Sequence, residues 1–132
     1  MVKAKKVRQL SFSMADRPGV LSEITTLIAG ARVNISALCA YTIDETAYFM
    51  LNTDSNAKAK KALAKLKIKI DEDEVVKIEL PDKVGELQKV SKMIADAGID
   101  IGYAYGTAGA GKSSTCVFKT SDDKKLIKTI NK

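Results

Sequence analysis

The sequence has no histidine and no tryptophan, only three arginines, two prolines and two cysteines, and aromatic residues at 5% of its 132 positions. Without histidine a single chain has no Ser-His-Asp or Cys-His catalysis, no His-ligated zinc and no imidazole switch near neutral pH. Few arginines and few stacking aromatics remove the usual tools of nucleic-acid recognition. No apolar run approaches the length of about 18 residues needed to cross a bilayer. The basic start, Met1 to Leu10, has no apolar core behind it, so no secretory signal is expected and the cytoplasm is the expected location. Cys39 and Cys116 lie too far apart for a C-x-x-C pair or a metal spacing. They are expected as buried small hydrophobes in a reducing compartment, with a disulfide or a reactive thiol as the alternative. Nothing in the sequence calls for a metal or a cofactor.

What is present reads as a folded globular protein, with 45% hydrophobic and 29% charged residues. The net charge of +6 is unevenly placed: residues 1–70 hold 12 basic and 5 acidic side chains, and residues 71–132 hold 10 and 11. The excess is lysine, at Lys3, Lys5 and Lys6 and again at Lys58, Lys60, Lys61, Lys65, Lys67 and Lys69. Within Ser55 to Lys67, Ala59, Ala62, Leu63 and Leu66 recur at helical spacing, which puts these lysines on the solvated face of an amphipathic helix. Neither a nucleic acid nor a membrane is expected as a partner.

Self-similarity organises the chain. Residues 16–35, DRPGVLSEITTLIAGARVNI, and residues 82–101, DKVGELQKVSKMIADAGIDI, share seven identities in twenty positions at an offset of 66. Upstream, Leu10/Phe12/Met14 recurs as Val76/Ile78/Leu80. Each copy predicts a strand, Val7 to Met14 or Val75 to Leu80, and then a helix. The helical stripe is Leu21, Ile24, Leu27 and Ile28 in copy one and Leu87, Val90 and Ile94 in copy two. Asp16 and Asp82 are placed at the N-caps, and Pro18 suits the first helical turn. Gly98 supplies a left-handed C-terminal cap where copy one has Arg32, which predicts strain or a different cap there. A hairpin follows, Val33 to Ile43 with Thr46 to Thr53, or Ile99 to Tyr105 with Ser113 to Thr120. A second helix closes each copy, Ser55 to Lys67 or Ser121 to Asn131. Copy one adds a short strand, Lys67 to Ile70, before an acidic turn, Asp71 to Glu74.

The expected fold class is therefore α+β: two ferredoxin-like βαββαβ units, residues 5–70 and 75–132. Each is an antiparallel sheet with both helices on one face, and the second lacks its last strand. A unit of about 60 residues buries only about 60% of its unfolded surface, so packing between units is expected to matter for stability. The missing strand leaves Val75 to Leu80 as a bare edge, to be covered by copy one's short strand or by a partner chain.

The junction of first strand and first helix carries the candidate chemistry. Gly19 lets a ligand approach helix N–H groups whose dipole suits a carboxylate. Asp16 can pair with an ammonium, and Asn34, at the start of the next strand, offers a donor and an acceptor. A free amino acid needs such a set. Each residue also has a local explanation: a cap for Asp16, a tight turn for Gly19, a backbone hydrogen bond for Asn34.

The run D-R-P-G-V-L, an apolar helix and then V-N-I resembles the signature of the ACT domain, a small ligand-binding regulatory module attached to amino-acid-metabolising enzymes. The resemblance covers nearly the whole chain as a tandem pair without a catalytic domain. Copy two is looser, with Val84 for proline, Glu86 after the glycine and Asp100 for asparagine. The resemblance implies an amino acid held between the loop after the first strand and the asparagine-bearing strand, often across an interface of two ACT units. It implies ligand contacts at Met14, Asp16, Gly19, Val20, Leu21 and Asn34. Leu80, Asp82, Gly85, Glu86 and Asp100 form a weaker second site, because Asp100 repels a carboxylate. It further implies a homodimer formed through ACT sheets.

Residues 106–113, GTAGAGKS, match the phosphate-loop pattern G-x-x-x-x-G-K-S/T. Phosphate binding needs a parallel strand that delivers the loop to a helix N-terminus. Here Lys112 is followed by the strand-like S-S-T-C-V-F-K-T, so the segment is expected to be a glycine-rich hairpin turn. The leading function is a non-enzymatic amino-acid sensor acting through ACT–ACT packing; the alternative is a ligand-free oligomerisation or interaction module docking on a separate enzyme. Acylphosphatases share the topology, but only Arg17 stands near a first strand to cradle phosphate. RNA-recognition domains share it too, and on the relevant strands the only aromatics are Phe12, Tyr48 and Phe49.

Overall fold

Alternation in the sequence becomes strand, and helical spacing becomes helix. The computed structural model, which describes residues 2–108 and 111–132, runs β1 (Lys3–Ala15), α1 (Val20–Gly30), β2 (Ile35–Ile43), β3 (Thr46–Thr53) and α2 (Asn56–Leu63), with a 3-10 turn over Ala64–Leu66. It continues through β4 (Asp71–Pro81), α3 (Glu86–Asp96), β5 (Ile101–Ala108), β6 (Ser113–Thr120) and α4 (Asp123–Ile130). The architecture is α+β with ferredoxin-like βαββαβ units, as expected. Two compact units divide the chain, residues 8–73 and residues 1–7 with 74–132.

In the unit of residues 8–73, β3 pairs antiparallel with both β1 and β2, so β1 and β2 run parallel. Alternate residues Leu10, Phe12, Ala47, Phe49 and Leu51 point to one face. Val20, Ile24 and Ile28 of α1 and Ala59 and Leu63 of α2 close that face. Full burial of one Leu or Ile side chain contributes about 1.5–3 kcal/mol. Phe12 and Phe49 stack at 5.3 Å within this core and present no surface to a base. In the other unit, β6 pairs antiparallel with β4 and β5. Its core joins Val76, Ile78, Leu80 and Phe118 to Val90 and Ile94 of α3 and Leu126 and Ile130 of α4. The N-caps Ser55 and Asp122 stand 67 apart, so the second hairpin is one residue longer than the first.

The structure corrects or decides the sequence expectations in five places. Residues 67–70 are not a strand; the acidic segment 71–74 is strand and continues into 75–80, forming one long β4. The flank of β4 is covered neither by residues 67–70 nor by a second chain but by the first residues of β1, which belong to the same compact unit. Ala4 of this segment joins the core, and the Asn131 side chain binds its backbone in both directions, N–H to Oδ1 at 2.8 Å and Nδ2–H to O at 2.7 Å. Sequence alternation could not reveal this, because Lys3, Lys5 and Lys6 surround the one core position, Ala4.

Second, Asp16 and Asp82 do not cap α1 and α3; the N-cap residues are Gly19 and Gly85, without a side-chain cap. Third, Leu21 and Leu87 lie outside the buried stripe, 41% and 51% exposed. Fourth, of the two expectations at Arg32 the structure bears out strain: Arg32 adopts the same left-handed conformation as Gly98, with φ of 60° against 70°. In both copies this residue donates to the carbonyl three back, and the next residue, Val33 or Ile99, donates to Ile28 or Ile94 five back, a Schellman C-cap. Fifth, β2, α2, β5 and α4 each begin later than the sequence pattern suggests.

Segment 106–113 runs from β5 into β6, antiparallel neighbours, and not from a strand into a helix; Gly109 and Ala110 lie outside the described residues. The phosphate-loop context is therefore absent. Cys39 and Cys116 are free and half-buried, and burial raises both thiols above their ordinary pKa. Among the described residues no helix is long and apolar enough to cross a membrane.

Candidate ligand site

The turn between β1 and α1 is built from Arg17 to Val20. Val20 N–H donates to the Arg17 carbonyl at 3.2 Å, and Gly19 has φ 89° and ψ 0°. This is a type II turn with Pro18 at its second position and glycine where positive φ is required. The other unit repeats it: Glu86 N–H donates to Lys83 O at 3.3 Å, and Gly85 has φ 87° and ψ −6°. The glycine thus answers a backbone need, and its exposed position leaves the start of α1 accessible, although Val20 N–H and Glu23 N–H are already bonded to the Arg17 and Gly19 carbonyls.

The hairpin of each unit anchors the turn. Asp16 N–H donates to Glu45 O at 2.9 Å, and Asp82 N–H to Lys112 O at 2.8 Å. Asp44, at the tip of the first hairpin, carries a φ of 54°. The hairpin is the neighbour that sequence reading did not place; the signal was the β1–β3 register, in which Ala15 faces Thr46.

Met14, Asp16, Gly19, Val20 and Leu21 come together at this end of the unit. Asp16 and Leu21 are exposed, Met14 is half-buried against the core, and Val20 is part of that core. Asn34 is elsewhere. Its N–H donates to Asp54 Oδ1 at 3.0 Å and its carbonyl accepts from Asp54 N–H at 3.1 Å, beyond the far end of β3. Eight β3 residues at about 3.3 Å each put it about 25 Å from the turn. The reason is topological: β2 runs parallel to β1, so β2 starts where α1 ends. The other unit shows the same separation, with Asp100 N–H on Ser121 Oγ at 3.0 Å, far from Leu80, Asp82, Gly85 and Glu86.

The two turns differ electrostatically. Glu86 opens α3 and pairs with Lys89 at 2.9 Å, so a carboxylate already stands at that helix end. At the matching place α1 begins with Val20, and its first-turn acid, Glu23, is engaged by Arg17. The first unit therefore offers the more open positive helix terminus.

Among proteins of known family, this first unit has a match. Residues 8–71 match the model of the ACT domain. Of solved structures, protein BT0572 from Bacteroides thetaiotaomicron is 28% identical, with 97% of this chain and 88% of that chain covered and a TM-score of 0.87. The regulatory subunit of aspartate kinase from Thermus thermophilus, in its ligand-free form, is 12% identical over 98% of this chain and 94% of that one, with a TM-score of 0.68. The aspartokinase alpha and beta subunits give 15%, 98% and 95%, and 0.67. The last two likenesses establish a shared fold. No curated protein matches the sequence. The ACT match ends before copy two, whose turn keeps the glycine but has Val84 for the proline and whose next strand is preceded by Asp100 in place of asparagine.

Proposed function

We propose that the chain is a non-enzymatic regulatory protein that binds an amino acid or similar small zwitterion at the Gly19 turn and acts through ACT–ACT packing. The observation that carries the reading is the turn itself: a positive-φ glycine opening α1 with no side-chain cap, beside the exposed Asp16. The ligand carboxylate sits on the Leu21 and Ser22 amides of α1, since the turn already holds Val20 N–H, and its ammonium sits on Asp16. Asn34, about 25 Å away by β-strand spacing, belongs to the same site only when a second copy of the chain brings it there. Ligand binding and homodimer formation through ACT sheets are then one event. Ligand at 100 times its Kd stabilises the binding-competent assembly by about 2.7 kcal/mol.

Titration calorimetry across the twenty amino acids, paired with sedimentation velocity, tests this. One amino acid or a small group is expected to bind and to shift the protein toward dimer. Asn34→Ala is expected to weaken binding about tenfold, the loss of one hydrogen bond to a charged group, and Asp100→Ala to leave it unchanged. No binding by any amino acid removes the reading. It leaves the second one, a ligand-free docking module, favoured by Tyr41 and Ile43, 45% and 56% exposed on the edge strand β2.

A further inference from the structure

We propose that a cavity beside the first residues of β1 binds an organic anion carrying at least two negative charges, at a site separate from the Gly19 turn. The cavity holds about 540 Å³, and four lysines line it: Lys3, Lys5, Lys77 and Lys132. Val2, Ala4 and Ile130 give it an apolar floor. Among the lining side chains one carboxylate, Glu79, stands against the four lysines and leaves three positive side-chain charges in excess.

Among the described residues, none of the four lysine side chains has an ion pair or a hydrogen bond, whereas the side chains of Lys6, Lys89, Lys92 and Lys119 of the same unit each reach a carboxylate. Like charges gathered in one cavity repel each other, and a low-dielectric wall strengthens the field they present to an anion. Lys77 is half-buried, which adds to its need for a counterion. The walls are fixed in advance: Asn131 clamps the Ala4 backbone through two hydrogen bonds, and Ala4 and Ile130 are core residues. Little backbone ordering is then needed on binding, and the entropy cost falls on the lysine side chains.

Volume chooses the ligand class. Sites for organic ligands span about 300–1,000 Å³, and an inorganic ion would leave most of this space empty. An anion with a carbon body fills it, charges on the lysines and carbon against the floor. The site is not inherited from the repeat. At the matching places copy one has Ser11 for Lys77, Ser13 for Glu79 and Ala64 for Asn131.

The test is titration calorimetry of the full chain at low salt with adenosine triphosphate, tripolyphosphate and orthophosphate as probes. Adenosine triphosphate is expected to bind saturably, tripolyphosphate more weakly, and orthophosphate not at all. Lys77→Ala is expected to weaken the nucleotide about tenfold, the loss of one charge-assisted contact, while Lys77→Arg keeps it and thermal melts show both variants folded. The double variant Lys58→Ala/Lys61→Ala, on the solvated face of α2, is expected to bind as the parent does. Absence of nucleotide binding overturns the proposal, as does an equal loss in the α2 variant, which would mean attraction by overall charge. Equal affinity for tripolyphosphate and nucleotide overturns the role of the apolar floor. Failure of every amino acid to bind would remove the Gly19 reading and leave this one standing.

Discussion

The two units carry the same backbone with different side chains at the positions that matter most. Val84 stands for Pro18, Glu86 for Val20, Gly98 for Arg32 and Asp100 for Asn34. Yet the turn glycines agree within 2° in φ, 89° and 87°, and both helices end in a left-handed residue whether or not that residue is glycine. Packing therefore dictates the backbone. The inward pull of Val33 and Ile99 and their hydrogen bonds to Ile28 and Ile94 fix the C-cap, and Arg32 accommodates. Chemistry is where the copies part: one helix terminus is open to an anion, and the other already has a carboxylate at its first residue.

The largest expected effect tests the shared part of that comparison. At Gly19 and at Gly85 an added Cβ meets nothing within 4 Å, so substitution strains only the torsion angles. Gly19→Ala and Gly85→Ala are each expected to destabilise by about 1–2 kcal/mol, the cost of a left-handed L-residue. Denaturant unfolding measures it. A loss at one site and none at the other would show that one turn can relax, and the equivalence of the two backbones would fail there.

A smaller effect with the opposite sign is expected at the C-caps. Arg32→Gly relieves a strained φ at an exposed residue and is expected to stabilise by about 0.5–1 kcal/mol, the strain released less the extra entropy of glycine in the unfolded chain. Gly98→Arg is expected to cost a similar amount in the other unit. If thermal melts show no gain from Arg32→Gly, the arginine contributes a compensating interaction at its own site.

These contrasts mark what the sequence made legible. The repeat, the strand and helix periods, the hairpins and the glycine of each turn follow from local patterns, and local patterns are visible in one sequence. The completion of copy two by Lys3 to Val7 was hidden, because three lysines in five residues read as a solvated arm while only Ala4 reaches the core. The site was legible in its parts and not in its assembly. Asp16 and Gly19 are neighbours in sequence and in space, but the placement of Asn34 depends on whether β2 runs parallel or antiparallel to β1, and only the pairing of both with β3 decides that.

The smallest effect concerns a difference in ionic ties. In the first unit Glu72 accepts from Lys60 Nζ at 2.6 Å and from Arg8 Nε at 2.8 Å, joining the start of β4 to α2 and β1. The other unit has Lys6 and Glu74 at 3.4 Å, both about half exposed. The hydrogen bonds from Lys60 and then Arg8 hold the Glu72 carboxyl below the usual carboxylate range. A lowered folded pKa means stability that is fully present above the unfolded value, about 4.3 for glutamate, and lost as pH falls through the folded value. Both cations are partly exposed, so solvent screens the pair and the contribution is expected to stay below about 1 kcal/mol. The stability difference between the parent and Glu72→Gln should therefore be flat at neutral pH, shrink below about pH 4 and diminish in high salt. A difference that persists unchanged at low pH would mean that Glu72 acts through shape and hydrogen bonding that glutamine lacks, and the contrast between the two units would then be one of packing.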